Sequence, residues 1–198
     1  MATTNARRVV ANITLSLDGR TAGPGGDYDM GWIVPYAVTD MARNGLVGLT
    51  SATTVLLGRK NYEGFGAYWP TVAQDENADP RDRAFAQWLD RVEKVAFSST
   101  LKAASWSNSR LVSDDPVTVV RALRLQNGGD IVILASQSII RALLEADEVD
   151  RLSINLAPEL VGAGAHLFQD GIPASSWALT DIMTSASGAV WLYYDRKR

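Results

Sequence analysis

The chain has 198 residues, of which 46% are hydrophobic, and a net charge of −3. This length can bury one large core, so we expect a single domain over residues 1–198, and the slightly negative charge with scattered cations argues against a nucleic-acid partner. The absence of cysteine and the single histidine, His166, exclude cysteine-based and histidine-rich metal sites, so no metal is expected.

Apolar patterning predicts strands alternating with helices. Residues rich in β-branched side chains or alternating in polarity indicate strands at 8–15, 53–57, 94–97, 110–112, 131–135, 151–156, 177–183 and 189–195. Helices are predicted at 35–47, 61–65 and 81–89, after Asp115-Pro116, and after a capping Ser138. The order indicates an α/β fold with a largely parallel sheet covered on both faces. Only five residues join the last two strands, which predicts an antiparallel hairpin.

The stretch from Pro70 to Asp90 is the least regular part of the sequence. It begins as an acidic loop and continues into the predicted helix at 81–89. Two interpretations remain open for this helix: a surface helix packed on the sheet edge, which we favour, or a substrate lid.

Three predicted strands end in residues suited to binding phosphate. Gly58-Arg59-Lys60-Asn61 joins a buried strand to a helix, and Ala135-Ser136-Gln137-Ser138 does the same further along the chain. Ser98, Ser99 and Thr100 follow a third strand. Each segment alone is also compatible with an ordinary turn or helix cap. In an open α/β sheet, however, ligands bind beyond the carboxyl ends of the strands, where all three segments fall.

The first strand runs into the polar turn Asp18-Gly19-Arg20-Thr21. Asp-Gly is a common tight-turn dipeptide, which is the simpler explanation of this segment. His166 is interpreted as a loop residue. No Gly-x-Gly-x-x-Gly follows the first strand, so an ordinary Rossmann dinucleotide site is not expected.

These segments together resemble the dihydrofolate reductase-like superfamily, and more closely the carboxyl-terminal reductase domain of the bifunctional riboflavin-biosynthesis deaminase-reductase. The resemblance is carried by residues 15–22, 57–63, 134–144 with 150–152, and 157–168. It implies a three-layer α/β/α fold, a mixed and mainly parallel sheet of eight strands, and bound NADPH. The zinc-binding deaminase half has no counterpart here.

The resemblance also implies positions for the cofactor. Ala11 and residues 13–21, including Thr14, Gly19 and Thr21, would border the nicotinamide. The pyrophosphate and adenosine 2′-phosphate would lie at Gly58, Arg59, Lys60 and Asn61. Ser98 and Ser99 would assist at the 2′-phosphate, and Ala135, Ser136, Gln137, Ser138 and Ile139 would pass under the diphosphate.

Two departures from the family pattern stand out. Dihydrofolate reductases carry a carboxylate two residues after the proline of Trp-x-x-Pro, whereas this chain has Ala37 after Trp32-Ile33-Val34-Pro35. Asp40, one turn further, is a candidate substitute, and Asp18 and Asp40 are the candidate catalytic residues. Ala135-Ser136 replaces the usual Gly-Gly or Gly-Ser, and its methyl group would narrow the approach to the diphosphate.

Three functions are compatible with this sequence. The first is an NADPH-dependent reductase acting on a small heterocyclic or sugar-like substrate. The second is the riboflavin-pathway reductase acting on 5-amino-6-(5-phosphoribosylamino)uracil. The third is a dinucleotide-binding protein without turnover, which an NADPH-oxidation assay with a candidate substrate would distinguish from the first two.

The sequence also suggests where the protein acts and with what it associates. No apolar run is long enough to cross a bilayer, and residues 1–8 lack the apolar core of a signal peptide, so a cytoplasmic protein without membrane contact is expected. The strand at 189–195 carries apolar or aromatic groups on both faces. That pattern predicts a homodimer, with helix cover within the chain as the alternative.

Overall fold

A computed structural model describes residues 7–198; the first six residues, which hold most of the segment examined for a signal peptide, lie outside it. Among the described residues, the strands are β1 (Val9–Ser16), β2 (Thr54–Gly58), β3 (Glu93–Phe97), β4 (Ser109–Val112), β5 (Ile131–Leu134), β6 (Arg151–Ala157), β7 (Ser176–Thr184) and β8 (Val190–Lys197). They form one sheet in the order β4-β3-β2-β5-β1-β6-β8-β7. All pairs from β4 to β6 are parallel, while β8 is antiparallel to β6 and β7. The predicted mixed sheet and terminal hairpin are confirmed.

The helices within residues 7–198 are α1 (Val34–Ala37), α2 (Asp40–Gly48), α3 (Arg59–Gln74), α4 (Pro80–Arg91), α5 (Pro116–Arg124) and α6 (Gln137–Glu145). Helices α5 and α6 pack on one face of the sheet around Val120, Ile140 and Leu143. On the other face, Tyr62 of α3 and Leu89 of α4 join a second core, and α1 and α2 cover β8. This is the expected α/β/α arrangement. No helix in this part of the chain is long and apolar enough to cross a membrane.

The prediction for the region around Pro70 was wrong. A short helix at 61–65 and an irregular stretch from Pro70 were expected, but α3 is one helix of 16 residues with Pro70 inside it. Proline inside a helix costs about 3 kcal/mol. The packing of α3 offsets this cost: Tyr62, Phe65 and Trp69 all pack in the core on this face of the sheet, and the ring of Trp69 meets Phe85 of α4 edge to face, with centroids 4.9 Å apart. The predicted helix at 81–89 is present as α4, and its buried face packs on the sheet, as favoured over a lid.

Two other helix predictions need correction. The expected helix at 35–47 is divided into α1 and α2, because Thr39 leaves the helical conformation and its side chain accepts a hydrogen bond from Ala42 N. The N-cap of α6 is Ser136, two residues before the predicted Ser138. Asp115 caps α5 as predicted, accepting a hydrogen bond from Thr118 N.

Lys94 of β3 is a fully buried cation beneath α4. Its Nζ donates to the carbonyl oxygens of Leu89 at 2.5 Å and Val92 at 2.9 Å, and it lies 4.9 Å from the centre of the Trp106 ring. The amine therefore caps the carboxyl-terminal end of α4, where positive charge is favoured. Burial nevertheless lowers the pKa of Lys94 to about 8.

We predict that Lys94 makes folding stability rise between about pH 8 and pH 10.5. Over this interval the unfolded chain, with an ordinary lysine, binds more protons than the folded chain, so the free energy of unfolding increases with pH. Each unit of difference in pKa corresponds to about 1.4 kcal/mol. Urea denaturation at several pH values should show this rise in the native protein and its loss in Lys94→Met. The exposed Lys102→Met is the control, and parallel curves for all three proteins would contradict the prediction.

The structure covers both faces of β8 within the chain itself, so the apolar pattern of this strand does not require a partner subunit. Trp191 is buried against α2, so closely that a Cβ built on Gly45 would lie 2.4 Å from its ring. On the opposite face, Leu192 and Tyr194 are partly buried against the main core. The outermost strand, β7, remains half exposed at Leu179 and Ile182.

We propose that the protein forms a homodimer through β7, because this edge strand combines unpaired backbone with exposed apolar side chains. Sedimentation equilibrium at micromolar concentration should give twice the 21.4 kDa chain mass. Ile182→Lys should reduce it to the monomer mass, whereas Leu125→Lys, at an exposed leucine on α5's end, should not. A native mass near 21.4 kDa would contradict the proposal.

Candidate active site

A cavity of about 500 Å³ lies at the carboxyl ends of β1, β2 and β5. Its walls come from four segments, within residues 13–14, 21–30, 58–65 and 135–138. The parallel pairing of β5 with both β1 and β2 brings these strand ends together. The cavity therefore lies where an open α/β sheet binds its ligands.

Two helices begin at this cavity without a side-chain cap. Helices α2, α4 and α5 each have an N-cap side chain that accepts a backbone N–H, supplied by Thr39, Asp79 and Asp115. Helices α3 and α6 begin after Gly58 and Ser136 with no such bond. Their first N–H groups, and the positive ends of their dipoles, are available to an anion.

Two hydrogen bonds hold these helix starts side by side. The Ser136 hydroxyl accepts from Gly58 N at 2.8 Å and donates to the carbonyl oxygen of Leu134 at 2.9 Å. Asn61 donates its side-chain amide to the carbonyl oxygen of Ala135 at 3.2 Å. Ser136 and Asn61 thus join β2 and α3 to β5 and α6 at the floor of the cavity.

Ala135 adopts a backbone conformation that favours glycine. Its φ is +50°, in the left-handed region, where a Cβ crowds the backbone. Alanine stands here in place of the glycine of the family pattern, and its positive φ strains the backbone. Such strain is common at ligand-binding turns.

The two cations of the predicted phosphate segment have different partners. Arg59 donates to the Thr100 hydroxyl at 3.2 Å and is about half exposed. Lys60 forms an ion pair with Asp27, which lies in the cavity wall. Arg59 also lies 3.9 Å from the Glu63 carboxylate, so each of the two cations would have to share or exchange a carboxylate partner to bind a ligand.

Most of the predicted cofactor residues line the cavity, and some do not. Those in the wall are Thr14, Thr21, Gly58, Arg59, Lys60, Asn61, Ala135, Ser136, Gln137 and Ser138. Outside it, Ala11 and Ile139 are buried in the core. Gly19 lies in the turn after β1 with φ +73°. Ser98 accepts hydrogen bonds from Thr100 N and Leu101 N, so Ser98 and Ser99 belong to a turn beside the Arg59–Thr100 contact rather than to the wall.

Asp18, a candidate catalytic residue, is hydrogen-bonded within the protein. Its carboxylate accepts hydrogen bonds from the Ser16 hydroxyl at 2.7 Å, Val161 N at 3.0 Å and Gly162 N at 2.9 Å. The Ser16 hydroxyl and these N–H groups hold the pKa of Asp18 well below its usual range. Asp18 therefore stays ionised and ties the 16–21 turn to the 159–166 loop, outside the cavity wall.

Asp40 also lies away from the cavity. Its carboxylate accepts a hydrogen bond from Arg81 at 2.6 Å, and its side chain is 82% exposed at the start of α2. It does not replace the carboxylate missing at Ala37. Sequence reasoning missed another contact, between the Tyr36 hydroxyl and Glu159 at 2.6 Å, because the two residues are 123 positions apart.

A second depression, of about 860 Å³, lies at the amino-terminal ends of β1, β5 and β6, across the sheet from the cavity. Three of its arginines pair with carboxylates: Arg8 with Asp130, and both Arg124 and Arg198 with Asp150, each at 2.6 Å. The fourth, Arg7, is buried and donates to the Gly129 carbonyl oxygen at 2.8 Å and the Thr54 hydroxyl at 2.6 Å. Four carboxylates in the same lining balance these four arginines, so the depression carries no net positive charge for an anion. No cluster of metal-ligating side chains was found within residues 7–198.

The RibD C-terminal domain model matches residues 7–191. The chain belongs to the RibD C-terminal domain family. YyaP of Bacillus subtilis is 24% identical over 189 residues, covering 95% of this chain and 94% of YyaP. Membership in the RibD C-terminal domain family thus covers all strands of the sheet up to Trp191 in β8.

Two solved structures show the same fold. A diaminohydroxyphosphoribosylaminopyrimidine deaminase/5-amino-6-(5-phosphoribosylamino)uracil reductase of Thermotoga maritima is 13% identical with a TM-score of 0.65, covering 98% of this chain and 58% of that one. Dihydrofolate reductase of Enterococcus faecalis, complexed with NADP(H), is 15% identical with a TM-score of 0.60, covering 96% and 97%. The RibD C-terminal domain family and the dihydrofolate reductase fold expected from sequence are both confirmed.

We predict that Ala135→Gly stabilises the protein. A left-handed alanine destabilises the folded state by about 1–2 kcal/mol, and glycine removes this strain. Glycine also gives the unfolded chain more conformational freedom, which lowers the gain by about 0.5–1 kcal/mol. The net gain should be about 0.5–1 kcal/mol in urea denaturation. Ala142→Gly, inside α6, is the control and should lose about 1 kcal/mol. A loss of stability in Ala135→Gly would contradict the prediction.

Proposed function

We propose that the protein is an NADPH-dependent reductase that transfers a hydride to a small heterocyclic or sugar-like substrate. The observation that carries the proposal is the pair of uncapped helix starts, α3 and α6, that meet at one cavity beside Arg59. Two such ends suit the two phosphates of a dinucleotide. Family membership supports an oxidoreductase, and the similar Enterococcus enzyme is complexed with NADP(H).

The residues present fit such a cofactor. The N–H groups after Gly58 and Ser136 would receive the pyrophosphate. Arg59 would pair with the adenosine 2′-phosphate, and the Thr100 hydroxyl that now accepts its hydrogen bond would lie beside that group. Lys60 would bind a phosphate after releasing Asp27. The Arg59 guanidinium and the Thr100 hydroxyl would form charge-assisted hydrogen bonds with the 2′-phosphate of NADPH. The uncharged 2′-hydroxyl of NADH could not form them.

The remaining wall suits the reacting end of the ligand. The cofactor supplies the hydride. Thr14, Thr21 and Ala22 would border the nicotinamide at the end of β1, and Tyr28 and Met30 would exclude water from the opposite wall. The acceptor would be a C=N or C=O carbon. The Asp18 carboxylate accepts hydrogen bonds from the 159–166 loop, and these bonds hold the 16–21 turn that precedes Thr21 and Ala22 in the cavity wall.

Two alternatives have support of their own. The riboflavin-pathway reduction of 5-amino-6-(5-phosphoribosylamino)uracil is supported by family membership and by the name of the Thermotoga neighbour. A dinucleotide-binding protein without turnover is supported by the partners of two carboxylates. Asp18 accepts from Val161 N and Asp40 accepts from Arg81, so neither carboxylate is a proton donor in the cavity. Oxidation of NADPH by a candidate substrate separates the reductases from the binder.

We predict that NADPH binds at least about tenfold more tightly than NADH, because a hydrogen bond to a charged group contributes about 1.5–3 kcal/mol. Arg59→Ala should abolish this preference and leave the affinity for NADH nearly unchanged. Arg83→Ala, far from the cavity, is the matched control. Quenching of tryptophan fluorescence measures both cofactors, and equal dissociation constants in the native protein would refute the 2′-phosphate assignment.

We predict poor reduction of dihydrofolate. Ala37 provides no carboxylate to pair with the pterin ring, and a positioned proton donor contributes about 10²- to 10⁴-fold in rate. A coupled assay that follows NADPH oxidation should therefore show only slow turnover of dihydrofolate. Robust turnover would contradict the assignment and would require another acid in the cavity.

A further inference from the structure

The cavity wall at Thr21 and Ala22 is held from behind by the 159–166 loop. Thr21 N donates a hydrogen bond to the carbonyl oxygen of Ala165 at 2.8 Å. The backbone of Gly164 approaches the carbonyl oxygen of Ala22 so closely that a Cβ on Gly164 would clash with it. The position of this part of the wall therefore depends on the position of the loop.

Gln137 joins the same loop to the start of α6. It is the first residue of this helix, and it lies in the cavity wall. Its side-chain Nε2 donates a hydrogen bond to the carbonyl oxygen of His166, 29 residues further along the chain. The free backbone N–H groups at this helix start are the ones that suit a phosphate. One side chain therefore connects the anion-binding end of the cavity with the loop behind Thr21 and Ala22.

The loop has an anchor in the core that is independent of Gln137. Leu167, the residue after the loop, is fully buried in the core that also contains Ile140 of α6. Gln169, which is exposed, donates to the same His166 carbonyl oxygen at 3.3 Å. The Gln137 contact is thus made at the cavity, above a loop base that is already packed, so it sets the position of the loop rather than its folding.

We propose that Gln137 is a positioning residue that couples anion binding at the start of α6 to the wall at Thr21 and Ala22. An anion on the α6 N–H groups orders the helix start. Gln137 passes this order to the loop through His166, and the bond between Ala165 and Thr21 passes it to the wall. This inference rests on the proposed function, which assigns a phosphate to α6 and the nicotinamide to this wall. Binding of the phosphates would thereby fix the wall against which the reacting ring lies.

The test uses Gln137→Met, which nearly preserves the length of the side chain but removes the donor. Gln169→Met is the matched control, because it removes the other donor to the same carbonyl oxygen from outside the cavity wall. Hydrogen exchange, followed by mass spectrometry of peptides covering residues 16–22 and 159–168, reports local opening of the wall and the loop. Thermal melting of each variant shows whether the whole fold is affected.

Without ligand, Gln137→Met should exchange about fivefold faster than the native protein in both segments, the effect of losing one ordinary hydrogen bond. Gln169→Met should exchange as the native protein does. Both variants should melt close to the native temperature, because the core beneath the loop is unchanged.

Inorganic pyrophosphate is the probe for the coupling. It should slow exchange in both segments of the native protein and of Gln169→Met. Calorimetric titration should show that it binds Gln137→Met as tightly as the native protein, because backbone N–H groups hold it. In Gln137→Met, however, bound pyrophosphate should no longer slow exchange in residues 16–22 or 159–168.

The inference is overturned if the two variants exchange alike, or if pyrophosphate slows exchange equally in Gln137→Met and the native protein or in neither. A merely structural role would also overturn it: Gln137→Met would then melt at a lower temperature and exchange faster throughout the chain. Failure of NADPH to bind the native protein refutes the proposed function, while the ligand-free exchange of the two variants still decides whether Gln137 positions the wall.

Discussion

The bridge made by the Ser136 hydroxyl is the contact on which the site depends. By accepting from Gly58 N and donating to Leu134 O, it joins the ends of two adjacent parallel strands at the point where each turns into a helix. The helix starts would otherwise be independent positive ends. Held together, they form one surface with two sets of free N–H groups, which is the feature that suits a dinucleotide.

This surface lowers the stability of the fold. Ala135 is strained by its positive φ, α3 and α6 have no side-chain cap, and Lys60 is held by Asp27. Each feature lowers stability or occupies a charge. Binding sites commonly keep such strain, which the rest of the fold must offset. Here the offset comes from the cores on both faces of the sheet.

The carboxylates near the site already have hydrogen-bond or ion-pair partners within the protein. Asp18 joins two loops, Asp40 pairs with Arg81, and Glu159 accepts from Tyr36. Asp27, the carboxylate in the cavity wall, pairs with Lys60. None of these four carboxylates therefore takes the place of the one that dihydrofolate reductases carry two residues after the proline of Trp-x-x-Pro.

The sequence by itself determined the α/β order, the terminal hairpin and the strand-to-helix turns at residues 58–61 and 135–138, because these depend on local periodicity, on glycine and on helix starts. Only the tertiary structure decided how particular side chains are used. Asp18 meets N–H groups 143 and 144 residues away, and Asp40 meets an arginine 41 residues away. Pro70 remains helical because α3 packs on α4. The physical reason is common to all three: a side chain's partners are set by contacts between distant segments, which local sequence does not specify.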